Sequence, residues 1–288
     1  MFAARPHALL VPFDGSFDVH GAATAPRKSK DAWKGQLEAE VKALGEAQYR
    51  LFADGRFAVL LVFQALDAAG KDSTIRHVFA GVNPCGLHVT AFKQPSRHEL
   101  AHDFLWRTTA HLPERGGVAI FSRSYYEEVL VVRVHPELLA AQRLSTRPSA
   151  AFWDERLRAI RDHERHLAEQ GTVILKFWLN ISRDEQRKQL LERIDEPTKN
   201  WKFNAGDLDE RARWDDYLAA YGECLNATSR PWAPWYAVPA DNRHYLRLTV
   251  AQIVNAALAS LNLDFPRVDA AAKKALGAAR KRLLAERD

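Results

Sequence analysis

Residues 59–74 read V-L-L-V-F-Q-A-L-D-A-A-G-K-D-S-T. An apolar run gives way to small residues, then Gly70-Lys71, then polar residues. Ile75, Val78, Phe79 and Val82 follow at i, i+3, i+4 and i+7. This pattern predicts a strand, a phosphate-cradling loop and the start of a helix. A glycine lets backbone N–H groups approach phosphate oxygens, the helix start adds partial positive charge, and Lys71 adds a full one. Ala68, Ala69, Gly70, Asp72 and Ser73 are the candidate phosphate contacts. Asp67 fits a loop built for anions if Mg²⁺ lies between its carboxylate and the phosphates, so it is the first candidate metal ligand. The match to G-x-x-x-x-G-K-[ST] is incomplete. Ala65 replaces the first glycine and Asp72 replaces the metal-binding Ser or Thr, with Ser73 and Thr74 just after. A simple strand-to-helix turn is the competing reading.

Outward from this stretch, strands and helices alternate. An arm over residues 1–30, broken by Pro6, Pro12, Gly15, Gly21 and Pro26, precedes a helix that Asp31 is expected to cap. Its apolar positions are Trp33, Leu37, Val41, Leu44 and Leu51. The strand at 57–63 is apolar throughout, as a strand covered on both faces should be. After the loop helix come a strand at 87–92 and a helix capped by Ser96 and Glu99 that runs to Pro113. A third strand at 118–121 leads into Ser122-Arg123-Ser124-Tyr125-Tyr126-Glu127-Glu128. Ser149 caps the next helix, 173–179 is a fourth strand, and Ser182 with Glu185 forms another capping box. A long helix is expected from Asp207 past Leu225. The last strand is at 236–239 or 245–248, with a helix over 249–261 closing the core. The order is that of a parallel α/β sheet with helical crossovers.

In such sheets ligands lie beyond the carboxyl ends of the strands. Arg123 is therefore expected beside Asp67 and Lys71, able to grip phosphate bidentately, and Glu127 could hold a metal or substrate group. From 182 to 202 there are six Lys/Arg and five Asp/Glu. This segment is either a salt-bridged solvent face or a helical lid that brings Arg183, Arg187 and Lys188 over the loop.

Composition bounds the alternatives. The chain has 288 residues, 47% hydrophobic, with net charge +5 and a pI near 9.2. The basic balance suits a polyanionic partner. No run approaches a membrane span and no signal-peptide core is evident, which predicts a cytoplasmic protein. Cys85 and Cys224 lack metal spacing and read as buried free thiols.

With A-L-D-A-A-G-K-D at 65–72, F-K-Q-P at 92–95, R-S-Y-Y-E-E-V-L-V-V-R-V-H at 123–135, K-N-W-K-F at 199–203 and R-A-R-W-D-D-Y at 211–217 in view, the chain resembles the polyphosphate kinase 2 family. The likeness runs from about residue 32 to 261. It implies a three-layer α/β/α, P-loop kinase-like core over 31–262 with an inserted lid at about 182–228, followed by a basic helical tail at 263–288. It implies Mg²⁺-dependent phosphoryl transfer (Mn²⁺ is an alternative) between inorganic polyphosphate and ADP or AMP, with guanine nucleotides as a further option. It also implies a homo-oligomer, dimer or tetramer, with no nucleic-acid or membrane partner. Asp67, Lys71 and Arg123 become the catalytic set. Lys93, Arg133, Arg183, Arg187 and Lys188 join the phosphate contacts, and Asp67 and Glu127 are the metal candidates. Ser122 stands where many members carry an acidic residue. Two rivals share part of this pattern: a nucleoside monophosphate kinase using ATP, and a nucleic-acid-binding protein with a degenerate loop.

Overall fold

The first strand explains the rest of the architecture, because every one of its side chains is buried. Such a strand needs a partner layer on each face. The computed structural model describes residues 1–26, 33, 35–145 and 147–286; the expected cap at Asp31 lies outside them. In chain order the elements are α1 (Gln36–Asp54), β1 (Ala58–Gln64), α2 (Lys71–Val78), β2 (Leu87–Ala91), α3 (Trp106–Thr109), β3 (Val118–Ser122), α4 (Val131–Val134), α5 (Ala150–Glu169) and β4 (Thr172–Asn180). Then follow α6 (Arg183–Asp195), α7 (Gly206–Ala212), α8 (Trp214–Thr228), β5 (Trp235–Pro239), α9 (Arg243–Ala259) and α10 (Ala270–Ala285). The five strands form one parallel sheet in the order β2-β3-β1-β4-β5.

Alternate residues of β1 feed two cores. Val59, Leu61 and Phe63 pack with α1, α2 and α9, while Leu60 and Val62 pack with α5, α8 and the turn after β3. This is the expected three-layer α/β/α sandwich. Lys176, in the middle of β4, is fully buried on the second face. Its ammonium donates to Glu164 Oε2 (2.6 Å), Tyr126 Oη (2.8 Å) and the Thr228 carbonyl (2.9 Å). The other Glu164 oxygen accepts from the hydroxyls of Tyr125 and Tyr126. A buried charge is tolerable when every donor is met in this way. Here the pairing ties β4, α5 and α8 to the turn that follows Arg123.

Several local expectations change. The Ser96–Glu99 box forms, with the Glu99 N–H donating to Ser96 Oγ at 3.2 Å, but it opens only a short 3₁₀ turn, and the next helical piece is the four-residue α3. The Ser182 hydroxyl caps α6, yet the Ser182 N–H donates to Asp241 rather than to Glu185. The long helix expected from Asp207 past Leu225 breaks at Arg213 into α7 and α8. The last strand is Trp235–Pro239, and residues 245–248 belong to α9, which Asn242 caps through two backbone N–H groups. Cys85 is exposed; only Cys224 is buried. The N-terminal arm lacks helix, as read, but it lies along β5. Val11 N–H donates to Trp235 O and Ala237 N–H to Leu9 O, both at 2.9 Å, so the β5 edge of the sheet is covered. α10 buries none of its residues. Among the described residues no helix is long and apolar enough to cross a membrane.

Candidate active site

The chain leaves β1 at Gln64 and must turn sharply before α2. Ala68 and Gly70 do this with φ of 64° and 87°. Gly70 meets nothing within 4 Å where a Cβ would stand, so backbone conformation, not crowding, calls for glycine. β3 ends alongside, and Arg123 also adopts φ 64°, with its N–H donating to Phe63 O at 3.0 Å. Left-handed conformations at two residues that carry side chains cost roughly 1–3 kcal/mol each and mark a site held in place by its surroundings.

Arg123 is the hub. Its guanidinium meets Asp67 Oδ1 at 2.9 Å and Glu127 Oε2 at 3.3 Å, which brings the two sequence motifs together. The Glu127 carboxylate, then that of Asp67, holds Arg123 firmly protonated against the opposing effect of burial. The Lys71 ammonium donates to Ala65 O at 2.8 Å. Burial first, and then the neighbouring Arg123, pushes its pKa down. Asp207 is pushed up by burial and by Asp67.

Two cavities meet at this hub. The larger, about 660 Å³, is lined by the loop, Lys93, and residues of α6 and the segment behind it. Among the described residues it presents eight cations (Lys71, Arg76, Lys93, Arg123, Arg193, Lys199, Lys202 and Arg243) against four carboxylates. The smaller, about 400 Å³, carries Trp214, Tyr217, Tyr221, Asp207, Glu210 and Arg211. Asp67, Gln94 and Arg123 line both. Trp201, 79% exposed, stands on the rim of the larger cavity with Lys202 against its ring.

The structure gathers Asp67, Ala68, Ala69, Gly70, Lys71, Asp72, Ser73, Lys93 and Arg123 on one cleft. It does not bring in Arg133, which pairs with Glu223 at 2.8 Å and lies over Trp153. Nor do Arg183, Arg187 and Lys188 line either cavity. The reason is helical geometry: the cleft face of α6 is Glu185, Gln189, Glu192 and Arg193, spaced i, i+4, i+7 and i+8. Arg183 and Arg187 lie off that face, beside Arg211, whose pKa they lower after burial does, and Lys188 points to solvent and pairs with Glu185. The cations in their stead are Arg193, Lys199, Lys202 and Arg243. Sequence reasoning also missed Arg247, whose guanidinium donates to Ser73 Oγ at 2.7 Å. Its one signal was the i, i+4 spacing from Arg243, hidden while 245–248 could be a strand.

Among the described residues no three His, Cys, Asp or Glu are grouped as a protein-only cage. Mg²⁺ needs none, since it takes one or two carboxylates plus phosphate oxygens and water. Asp67 fits, because Arg123 engages only one of its oxygens. Glu127 does not: Gln64 donates to Oε1 at 3.0 Å and Arg123 to Oε2. Its expected metal role gives way to that of counter-ion to Arg123.

A phosphate-cradling loop, an arginine at the end of the neighbouring strand and a cationic cleft at the carboxyl edge of a parallel sheet define a P-loop-type phosphotransferase. The family profile of polyphosphate kinase 2 matches residues 27–266, and the chain belongs to that family. It is 51% identical over 259 residues to the ADP-polyphosphate phosphotransferase of Rhodopseudomonas palustris, covering 89% of this chain and 90% of that protein. It is 44% identical over 250 residues to the AMP/ADP-polyphosphate phosphotransferase of Meiothermus ruber, covering 84% and 90%. The crystal structure of polyphosphate kinase 2 from Arthrobacter aurescens superposes with a TM-score of 0.86 at 41% identity, over 97% of this chain and 98% of that one.

Proposed function

We propose that this protein transfers the terminal phosphoryl group of inorganic polyphosphate to ADP, and also to AMP, in a reversible reaction. The observation that carries the reading is the meeting of two unlike cavities at Asp67 and Arg123. The cation-rich one suits a long polyanion, and the one lined by aromatic side chains suits a nucleoside. The names of the relatives support the same substrates.

The acceptor is a phosphate oxygen already deprotonated at neutral pH, so no strong base is required. It attacks the terminal phosphorus, the bridging P–O bond breaks, and the shortened chain leaves as an anion. The task is to hold two polyanions in line and neutralise their charge. Lys71 and Arg123 do this at the transferring group, the loop N–H groups hold its oxygens, and Arg193, Lys199, Lys202 and Arg243 grip the donor chain. Mg²⁺, when bound, would be held by Asp67 and the phosphates and would supply further charge neutralisation. Use of guanine nucleotides and assembly into dimers or tetramers belong to the same proposal.

The test is purified protein with Mg²⁺ and polyphosphate, offered ADP, AMP and GDP separately, with products quantified and subunit number read by light scattering. ATP made from ADP with polyphosphate as the only donor is the expected result. Transfer from ATP alone, indifferent to polyphosphate, would make it a nucleoside monophosphate kinase instead.

A further inference from the structure

A P-loop that holds a magnesium ion divides the work between two side chains. A hydroxyl follows the loop lysine, and a carboxylate comes from the strand-borne partner motif. Here the two types stand the other way round. Asp72 follows Lys71, and Ser122 ends β3, the strand that pairs with β1 with Ser122 opposite Phe63. The structure brings them together: Ser122 Oγ donates to Asp72 Oδ1 at 3.0 Å, and both line the larger cavity. Ser122 is buried, so its hydroxyl can aim the carboxylate.

Charge separates Asp72 from its neighbours. Arg123 engages both Asp67 and Glu127. Among the described residues Asp72 joins no ion pair and meets only the neutral Ser122 hydroxyl, through one of its two oxygens. The adjacent Lys71 donates to the Ala65 carbonyl instead. Asp72, exposed in the first turn of α2, is thus a cleft-lining carboxylate that adds to the field around Lys71 yet has no ion-pair partner among the described residues.

We propose that Asp72 is a ligand of the divalent cation and that Ser122 is the positioning residue that orients it, the loop and the strand having exchanged hydroxyl and carboxylate. This rests on reading the cleft as a phosphate site. It goes beyond the assignment of the metal to Asp67.

The test uses Mn²⁺ as a spectroscopic stand-in, titrated into the full chain without phosphate compounds, with free Mn²⁺ read by electron paramagnetic resonance. Asp72→Asn is expected to weaken binding by about 100-fold and Ser122→Ala by about tenfold, the scale of a lost ligand and of a lost orienting partner. The exchange variant Asp72→Ser/Ser122→Asp should recover most of what Asp72→Ser loses. Circular dichroism checks folding, and the two single variants carry the test if the exchange variant unfolds. Wild-type affinity in Asp72→Asn, an exchange variant that folds yet binds no better than Asp72→Ser, or a wild-type chain that binds no Mn²⁺ would overturn the proposal. A chain that binds Mn²⁺ through Asp72 yet transfers nothing from polyphosphate would overturn the functional reading and leave this site standing.

Discussion

Lys71 is half-buried beneath its own loop, and burial and Arg123 together lower its pKa. The sign of the effect on activity follows. Only the protonated amine neutralises phosphate, so turnover must fall as pH rises through a value below the ~10.4 of a free lysine. Lys71→Arg, whose guanidinium stays charged, should abolish that alkaline limb in a kcat-against-pH profile. Lys71→Ala should lower kcat by roughly a hundredfold at neutral pH. An unchanged limb in the arginine variant would remove Lys71 from the charge-neutralising role. The meeting of Asp67, Lys71 and Arg123 on one cleft was legible in the sequence because each follows the carboxyl end of a strand, in the β1–α2 connection or just past β3, where a parallel sheet leaves little choice of location. Glu127 was legible as a site residue but not in its role, since a lone motif does not show which carboxylate an arginine has already claimed.

α6 shows what a helix hides. Its charges were evident, but which of them face the cleft depends on rotation about the helix axis, and packing of Gln186 and Leu190 sets that rotation. Glu192 on the cleft face holds Lys199 and Arg243, two of the cations a polyanion would need. Glu192→Gln is therefore expected to lower the KM for polyphosphate several-fold. Arg187→Ala, exposed and outside the lining of the larger cavity, should leave it within about twofold, as for a surface charge. Steady-state kinetics at two salt concentrations checks both; a large effect from Arg187 would mean that α6 rotates when substrate arrives. The split of α7 from α8 was equally illegible, because both halves keep helical periodicity and Arg213 carries no breaker signal.

Across the whole molecule, the parallel α/β class and the first four strands could be read from apolar runs spaced by crossover lengths, whereas the order of strands across the sheet and the choice of the last strand could not. The N-terminal arm could not, because pairing to β5 spans more than 200 residues and leaves no local pattern. Ser229 Oγ donates to Val11 O at 2.9 Å, and Val11 is fully buried, so the arm is part of the second core. Deleting residues 1–25 should lower the melting temperature by several degrees and increase aggregation, since it bares both apolar surface and an open strand edge. A deletion variant that melts as the full chain does would show the contact to be energetically idle. The rim of the cleft offers a different kind of access to the same molecule. The indole of Trp201 is bathed in water, whereas Trp178 and Trp235 are fully enclosed. Its fluorescence is therefore the one most open to change when a polyanion settles over it, and the protein carries its own optical gauge of occupancy.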